Sequence, residues 1–456
     1  MNKLDRRRFC QYATIGAFGL SLPKLLELDA QEVARGRRER PKSLIFLFLY
    51  GGPSQIDVWD MKPEAPAEFR GEFRPIQTTN PALQICEHLP KMAQLAQHYS
   101  VIRTLHHVNR NHQPAGCWML TGVDPRSDNS SQLKPKPDDP PALGSIATRL
   151  APAERNTVPP FVMLPARLND QGSFFKGQYG GWLGSRADPL LIQGDPNSPT
   201  FRVDGFQQQE DISPSRMRRR RDLLRRLDAG LLGSEPETQS LGEFQQQAFE
   251  LMTSSRGQSA FDLSAEADRV RDRYGRTQFG QGCLLARRLI EAGARVVTVS
   301  DCTSAGHHEW DTHNDNFPLL KEKLLPRLDQ AYTALMGDLI DRGMLEDTVV
   351  YLGGEFGRTP RIGQAGFSSA GATASGRDHY PNCFPGILAG GRVRPGTVYG
   401  RSDSRAAFPT QDPVTPEDLA ATLFAAMGLD PHGLVYTPEN RPMPASHGNA
   451  IRGILA

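Results

Sequence analysis

The stretch "LPRLDQAYTALMGDLIDRGMLEDTVVYLGGE", Leu325 to Glu355, changes period halfway along. In its first part Leu325, Leu328, Tyr332, Leu335, Leu339 and Ile340 recur at helical spacing. In its second part, Asp347 to Glu355, a continuous apolar run ends in two glycines, the pattern of a strand buried on both faces. Five further segments read as the same kind of strand: "PKSLIFLFLYGG" (Pro41 to Gly52), "YSVIRTL" (Tyr99 to Leu105), "PPFVMLP" (Pro159 to Pro165), "ARVVTVSD" (Ala294 to Asp301) and "FPGILAGG" (Phe384 to Gly391). Helical patterns such as "PEDLAATLFAAMG" (Pro416 to Gly428) lie between them. Buried strands alternating with helices predict an α/β fold with a mostly parallel central sheet and helices on both faces. In such folds ligands gather at the carboxyl ends of the strands.

A chain of 456 residues suffices for one large domain or two ordinary ones. Its net charge of +2 gives no global sign of a nucleic-acid partner. "DRRRFCQYATIGAFGLSLPKLL", Asp5 to Leu26, resembles a twin-arginine export signal: Arg6-Arg7-x-Phe9, then a short apolar run. That run is too short and glycine-rich to span a bilayer, for which about 20 apolar residues are needed. Residues 1–40 are therefore expected to be signal and linker, and 41–456 one α/β domain. Beyond Cys10 the cysteines are Cys86, Cys117, Cys283, Cys302 and Cys383, with no C-x-x-C pair, which argues against a thiolate zinc site. One or two disulfides remain open on this reading. "MRRRRDLLRRLDAGLL", followed by a glutamine-rich stretch, predicts a basic helical insertion over about 205–260; a solvated helix face explains its arginines.

The chemistry-bearing residues cluster after the predicted strands. "GHHEWDTHNDN", Gly306 to Asn316, offers Asp311 and His313 as ligands for zinc, manganese or iron(II), although a solvated loop would read the same. "GGEFGRTP" places Glu355 at a strand end and Arg358 three residues on. Arg358 either clamps a phosphate or sulfate or pairs with Glu355. "GRDHYPN" brings Asp378 and His379, two ligands or a ligand and the group that orients it. "LHHVNRNHQPAGCWMLTG" supplies His106, His107 and His112, and "YGGPSQIDVWDMKP" supplies Ser54, Asp57 and Asp60. His307 and His308 read as neighbours that support a ligand or as bystanders.

The helix, turn and strand of Ala331 to Gly357 resemble those of sulfatases and alkaline phosphatases, and Pro416 to Pro431 is similar to a late sulfatase helix. "HQPAGCWMLTG" resembles the sulfatase signature. Together with the twin-arginine start, "GGPSQIDVWDMKP", "WDTHNDN", "GEFGRTP" and "GRDHYP" resemble the domain-of-unknown-function-1501 family from about Pro41 onward. The resemblance implies an alkaline-phosphatase-like three-layer sandwich. It also exposes departures. The nucleophile position of the signature falls on His112, Phe356 stands where the superfamily has a metal-binding histidine, and the first-strand aspartate position falls near Gly51, leaving Asp57 as substitute.

The expected metal set is thus Asp311, His313, Glu355, Asp378, His379 and Asp57, with His112 as ligand, nucleophile or general acid and Arg358 as the anion-stabilising cation. The expected function is an exported, periplasmic or envelope hydrolase dependent on a divalent metal. Its substrate would be an anionic ester, a phosphorylated or sulfated small molecule or glycan, and the twin-arginine machinery would be its export partner. The alternative is a non-catalytic envelope protein that keeps the fold and a metal for binding or assembly.

Overall fold

A computed structural model describes residues 42–126, 134–152, 158–170, 172–203 and 255–456, with a few residues between 216 and 223. The N-terminal signal and nearly all of the basic insertion expected over about 205–260 lie outside the described residues.

The apolar runs form one sheet. Its strands are β1 (Ser43–Phe48), β2 (Tyr99–Leu105), β3 (Phe161–Leu164), β4 (Leu190–Leu191), β5 (Val296–Ser300), β6 (Thr348–Gly353), β7 (Phe384–Ala389) and β8 (Val398–Tyr399). They lie side by side in the order β8-β2-β7-β6-β1-β5-β3-β4. Every pairing is parallel except the two made by β7, which runs against both β6 and β2. At the centre Phe48 of β1 sits opposite Gly353 of β6 and Ser300 of β5. Three loops therefore leave the sheet together at one edge.

The two-residue period of β1 feeds two cores. Leu44, Phe46 and Phe48 pack with Met119, Ile146 and Leu423, whereas Ile45 and Leu47 pack with Leu284, Leu328 and Leu335. The first core is covered by helices α1 (His112–Thr121), α2 (Leu143–Leu150) and α5 (Pro416–Ala426), and the second by α3 (Gln278–Ala292) and α4 (Leu325–Asp341). This is the expected three-layer arrangement. The helical spacing read in α4 is its core stripe: Leu325, Leu328, Tyr332, Leu335 and Leu339 are fully buried, and Ile340 is half-buried at the helix end. Each such leucine contributes about 1.5–3 kcal/mol relative to exposure, which sets α4 against the sheet. Helix α5 starts where Thr415 and Asp418 bond reciprocally to each other's backbone, with Pro416 in the first turn.

Among the described residues the five cysteines are all buried and unpaired, so no disulfide forms among them. No described helix is long and apolar enough to cross a membrane.

Candidate metal centre

The backbone at the end of β1 organises the site. Gly51 has φ +123, and a Cβ there would lie 2.5 Å from the backbone nitrogen of Asp311. Only glycine lets the 310–311 segment lie on the end of β1. Tyr50 completes the docking: its carbonyl accepts the N–H groups of Glu309 and Trp310 at 2.9 and 3.0 Å. Asp311 is carried to the end of β1. The Gly51 N–H turns to Glu355, just past β6, and donates to its carboxylate oxygens at 3.0 and 3.2 Å.

His112 begins α1, reached from β2 through the 106–111 connection. Its Nδ1 is 2.6 Å from Glu355 Oε1, and its Nε2 is 3.3 Å from Asp311 Oδ2. His379 arrives by another route. It precedes β7, and because β7 is antiparallel its entry lies at the same edge as the exits of β1, β2, β5 and β6. In chain order Asp378 and His379 lie between β6 and β7, so they follow one strand and lead into the next. His379 Nε2 lies 3.1 Å from Asp311 Oδ1 and 2.9 Å from His313 Nε2, and His313 Nε2 lies 3.0 Å from the same Oδ1.

Hydrogen bonding fixes which nitrogens are free. His379 Nδ1 meets the Arg110 carbonyl at 2.6 Å, and His313 Nδ1 meets the Gly371 carbonyl. A carbonyl only accepts, so both Nδ1 atoms carry a proton, and with the rings neutral both Nε2 atoms present lone pairs. Two lone-pair nitrogens and one carboxylate oxygen then face one another at about the separation of hydrogen-bonded atoms with no proton between the nitrogens. His112 Nε2 is buried and has no aligned hydrogen-bond partner. Convergent acceptors of this kind fit a divalent cation, and imidazole with carboxylate is the donor chemistry of zinc, manganese and iron(II). Two overlapping groups have such convergence: His112, Asp311 and His379, and His313, Asp378 and His379.

The electrostatics are those of the bare protein groups. Burial alone would lower the His112 pKa, yet the Asp311 and Glu355 carboxylates override it and lift it to about 9. Burial drives His379 down to about 3, helped by the charge on His112, and drives His308 down to about 4. Burial would raise Asp311, but Arg358 and His112 hold it well below the usual carboxylate range.

The other expected residues do different work. Asp57 is fully buried and held at two points by Arg377, Oδ2 to Nε at 2.8 Å and Oδ1 to Nη2 at 2.9 Å, with Ser54 and Asn316 also donating to Oδ2. That ion pair removes it from the donor set. Arg358 does not pair with Glu355. Its Nη2 bonds Asp311 Oδ1 at 2.5 Å and the Gly51 and Trp310 carbonyls, Nε bonds the Gly52 carbonyl and Nη1 the Arg377 carbonyl. A guanidinium so committed and fully buried positions Asp311 and is not available to stabilise a substrate. Glu355 orients His112. Asp378 accepts the N–H groups of Phe367, Ser368 and His379 and the Ser368 hydroxyl, clasping the 363–376 loop.

Phe356 is a wall: its ring centroid lies 4.5 Å from that of His379 and 5.1 Å from that of His112. Two further residues line the site: His308, which the sequence reading leaves between support and bystander, and Asp170, which it does not single out. His308 stacks on His112 at 4.4 Å with Nδ1 3.4 Å from Asp311 Oδ2, and Asp170 lies 3.9 Å from its other nitrogen. Their signal was weak because His308 precedes Asp311 by a single helical turn's spacing in a loop of no regular period, and Asp170 sits on a hairpin that no pattern announces.

Comparison with known proteins gives a family. Residues 41–455 match the family model described as "Protein of unknown function (DUF1501)", and the chain belongs to that family. No curated protein matches it. Among solved structures it is similar to a phosphonate monoester hydrolase from Silicibacter pomeroyi, with 12% identity, 91% of this chain and 76% of that chain covered, and a TM-score of 0.39. It is also similar to the PsFucS1 sulfatase from Pseudoalteromonas sp., with 14% identity, 95% and 75% covered, and a TM-score of 0.37. The lipoteichoic acid synthase LtaP from Listeria monocytogenes matches at 11% identity, 86% and 73% covered, with a TM-score of 0.34. At such identities and TM-scores no reaction or ligand transfers from these proteins to this chain.

Proposed function

We propose that this chain is a divalent-metal hydrolase of phosphate or sulfate esters. The observation that supports it most directly is the approach of His313 Nε2 and His379 Nε2 to Asp311 Oδ1, at 3.0 and 3.1 Å, with a proton-bearing Nδ1 behind each ring. His112, Asp311, His313 and His379 would hold the ion, which when bound supplies Lewis-acid polarisation of an ester oxygen or a water. Glu355 keeps the His112 Nδ1 proton in place and aims Nε2 inward, so His112 acts as a donor in this reading. Arg358 fixes Asp311 and the side chains of Phe356 and Tyr50 screen the rings of His112 from water.

The second reading, a metal-binding protein without turnover, is favoured by the commitment of every Arg358 group to the protein itself. Metal analysis of purified protein and a panel of aryl phosphates and sulfates separate the two. Stoichiometric metal with turnover above that of the Asp311→Ala/His313→Ala double variant supports the hydrolase. Metal without turnover leaves the binder, and absence of metal in both proteins sinks both. The twin-arginine motif adds a proposal of export: replacing Arg6 and Arg7 by lysine should hold the protein in the cytoplasm, and unchanged export would refute it.

A further inference from the structure

With Arg358 committed, the guanidinium that would meet an anionic substrate must come from elsewhere, and the 106–112 segment provides one. Three bonds pin this segment to the donor residues. His107 Nε2 donates to the Glu355 carbonyl at 2.6 Å, the Arg110 carbonyl accepts from His379 Nδ1 at 2.6 Å, and His112 meets the Glu355 carboxylate. The backbone is fixed while the side chains of Val108 and Arg110 remain in solvent. Among the described residues no carboxylate lies within ion-pair distance of Arg110. Its guanidinium lies over the ring of Phe367, 5.2 Å from the centroid. A cation–π contact of this kind holds the guanidinium in place and leaves N–H groups for a second partner.

The platform under it is itself anchored to the site. Phe367 N–H donates to Asp378 Oδ2 at 2.9 Å, and Asp378 Oδ1 accepts the N–H of His379 at 2.8 Å. Arg110 is therefore tied to His379 twice, through its own carbonyl and through Phe367 and Asp378. Arg377, by contrast, spends its N–H groups on Asp57 and on the carbonyls of Phe69, Thr359 and Pro360.

We propose that Arg110 is the specificity-determining cation of this site, binding a tetrahedral oxyanion, phosphate or sulfate, beside the His379 donor. The proposal rests on the reading of the site as one that handles anionic esters. A guanidinium fork matches two oxygens of such an anion, and an ammonium meets only one at a time.

The test is calorimetric titration of the full chain with inorganic phosphate and, separately, sulfate, with and without added zinc or manganese, after metal content has been measured. Arg110→Ala should weaken oxyanion binding by about tenfold or more, the loss of one charge-assisted contact, with metal stoichiometry unchanged. Arg110→Lys should fall between the two, because charge survives and the fork does not. Phe367→Ala should weaken binding by a few-fold, about what loss of one exposed cation–π contact removes. Equal affinity in wild type and Arg110→Ala, or no oxyanion binding by the wild type, overturns the assignment. If the wild type binds no metal the proposed function falls, while the same titrations of the metal-free protein still decide Arg110. If Arg110→Ala fails to fold, the lysine and Phe367 variants carry the decision.

Discussion

Two buried ionic clusters sit at the same edge of the sheet, and they are built on opposite principles. Around Asp57 every acceptor is answered: two N–H groups of Arg377, the Ser54 hydroxyl and the Asn316 amide surround one carboxylate. Around Asp311, beside the Arg358 guanidinium, two imidazole nitrogens face each other and a carboxylate oxygen, and a third lies 3.3 Å from the other carboxylate oxygen without an aligned bond. A buried charge is tolerated only when it is paired and hydrogen-bonded, and the first cluster is complete by that measure. The second pairs its carboxylate with Arg358 and still leaves imidazole nitrogens turned on one another, an arrangement that a bound cation would answer. Depth alone does not separate scaffold from site, since Asp57 is fully buried and His112, His313 and His379 nearly so. The balance of donors and acceptors does.

The largest effect expected from breaking this contrast is on stability, at the complete cluster. Asp57→Ala leaves Arg377 as a buried, uncompensated charge and should cost about 3–5 kcal/mol. Denaturant unfolding measures that loss, and metal bound per folded molecule should stay at the wild-type level. A change within error would show that the ion pair contributes little and that the two clusters are less different than their geometry.

At the incomplete cluster the expected loss is of metal-linked stability. A cation that binds only the folded state stabilises it by about 2.7 kcal/mol when present at 100 times its Kd. Thermal unfolding of the wild type with and without zinc or manganese should show that gain, and His313→Ala should abolish it. A gain retained in His313→Ala would remove His313 from the donors and leave the His112, Asp311 and His379 group to act alone.

The fold was legible because strands buried on both faces leave continuous apolar runs, and because α4 repeats its leucines with helical period. The site was legible in part for the same reason: the edge at which Asp311, Glu355 and His112 meet follows from strands ending there. What sequence could not show was direction and pairing. β7 is as apolar as its parallel neighbours, so nothing in Phe384 to Ala389 reveals that it runs backwards and carries His379 to the edge from its N-terminal side. Likewise Asp57 and Asp311 are both carboxylates past a strand end. Only the third dimension places Arg377 against one, across 320 residues of sequence, and three imidazoles against the other.

Glu355→Gln sharpens the comparison from within the site. The carboxylate accepts from Gly51 N–H and from His112 Nδ1, and the amide oxygen of glutamine can still accept. What is lost is the negative charge that makes His112 a better donor. Removing such an orienting partner lowers metal affinity by about 10–100-fold. Competition with a chelator of known affinity reads this directly, and unchanged affinity would make Glu355 a purely structural residue like Asp57.

The smallest effect, and the finest division between scaffold and site, lies at His308. It touches the cluster by stacking on His112 and by its 3.4 Å approach to Asp311 Oδ2, yet its side chain keeps 29% of its surface in solvent. Water competes for its nitrogens, unlike those of His313 and His379, whose inner faces are closed by each other. His308→Ala should therefore shift stability by less than about 1 kcal/mol, the size expected for a half-buried ring that makes no aligned hydrogen bond. Metal affinity should stay within a few-fold of wild type, less than the 10–100-fold expected when a supporting contact of a ligand is removed. A larger loss in the chelator competition would place His308 among the donors. The acceptor surplus that distinguishes this cluster would then extend to the solvent-facing rim, where Asp170 lies 3.9 Å from His308 Nε2.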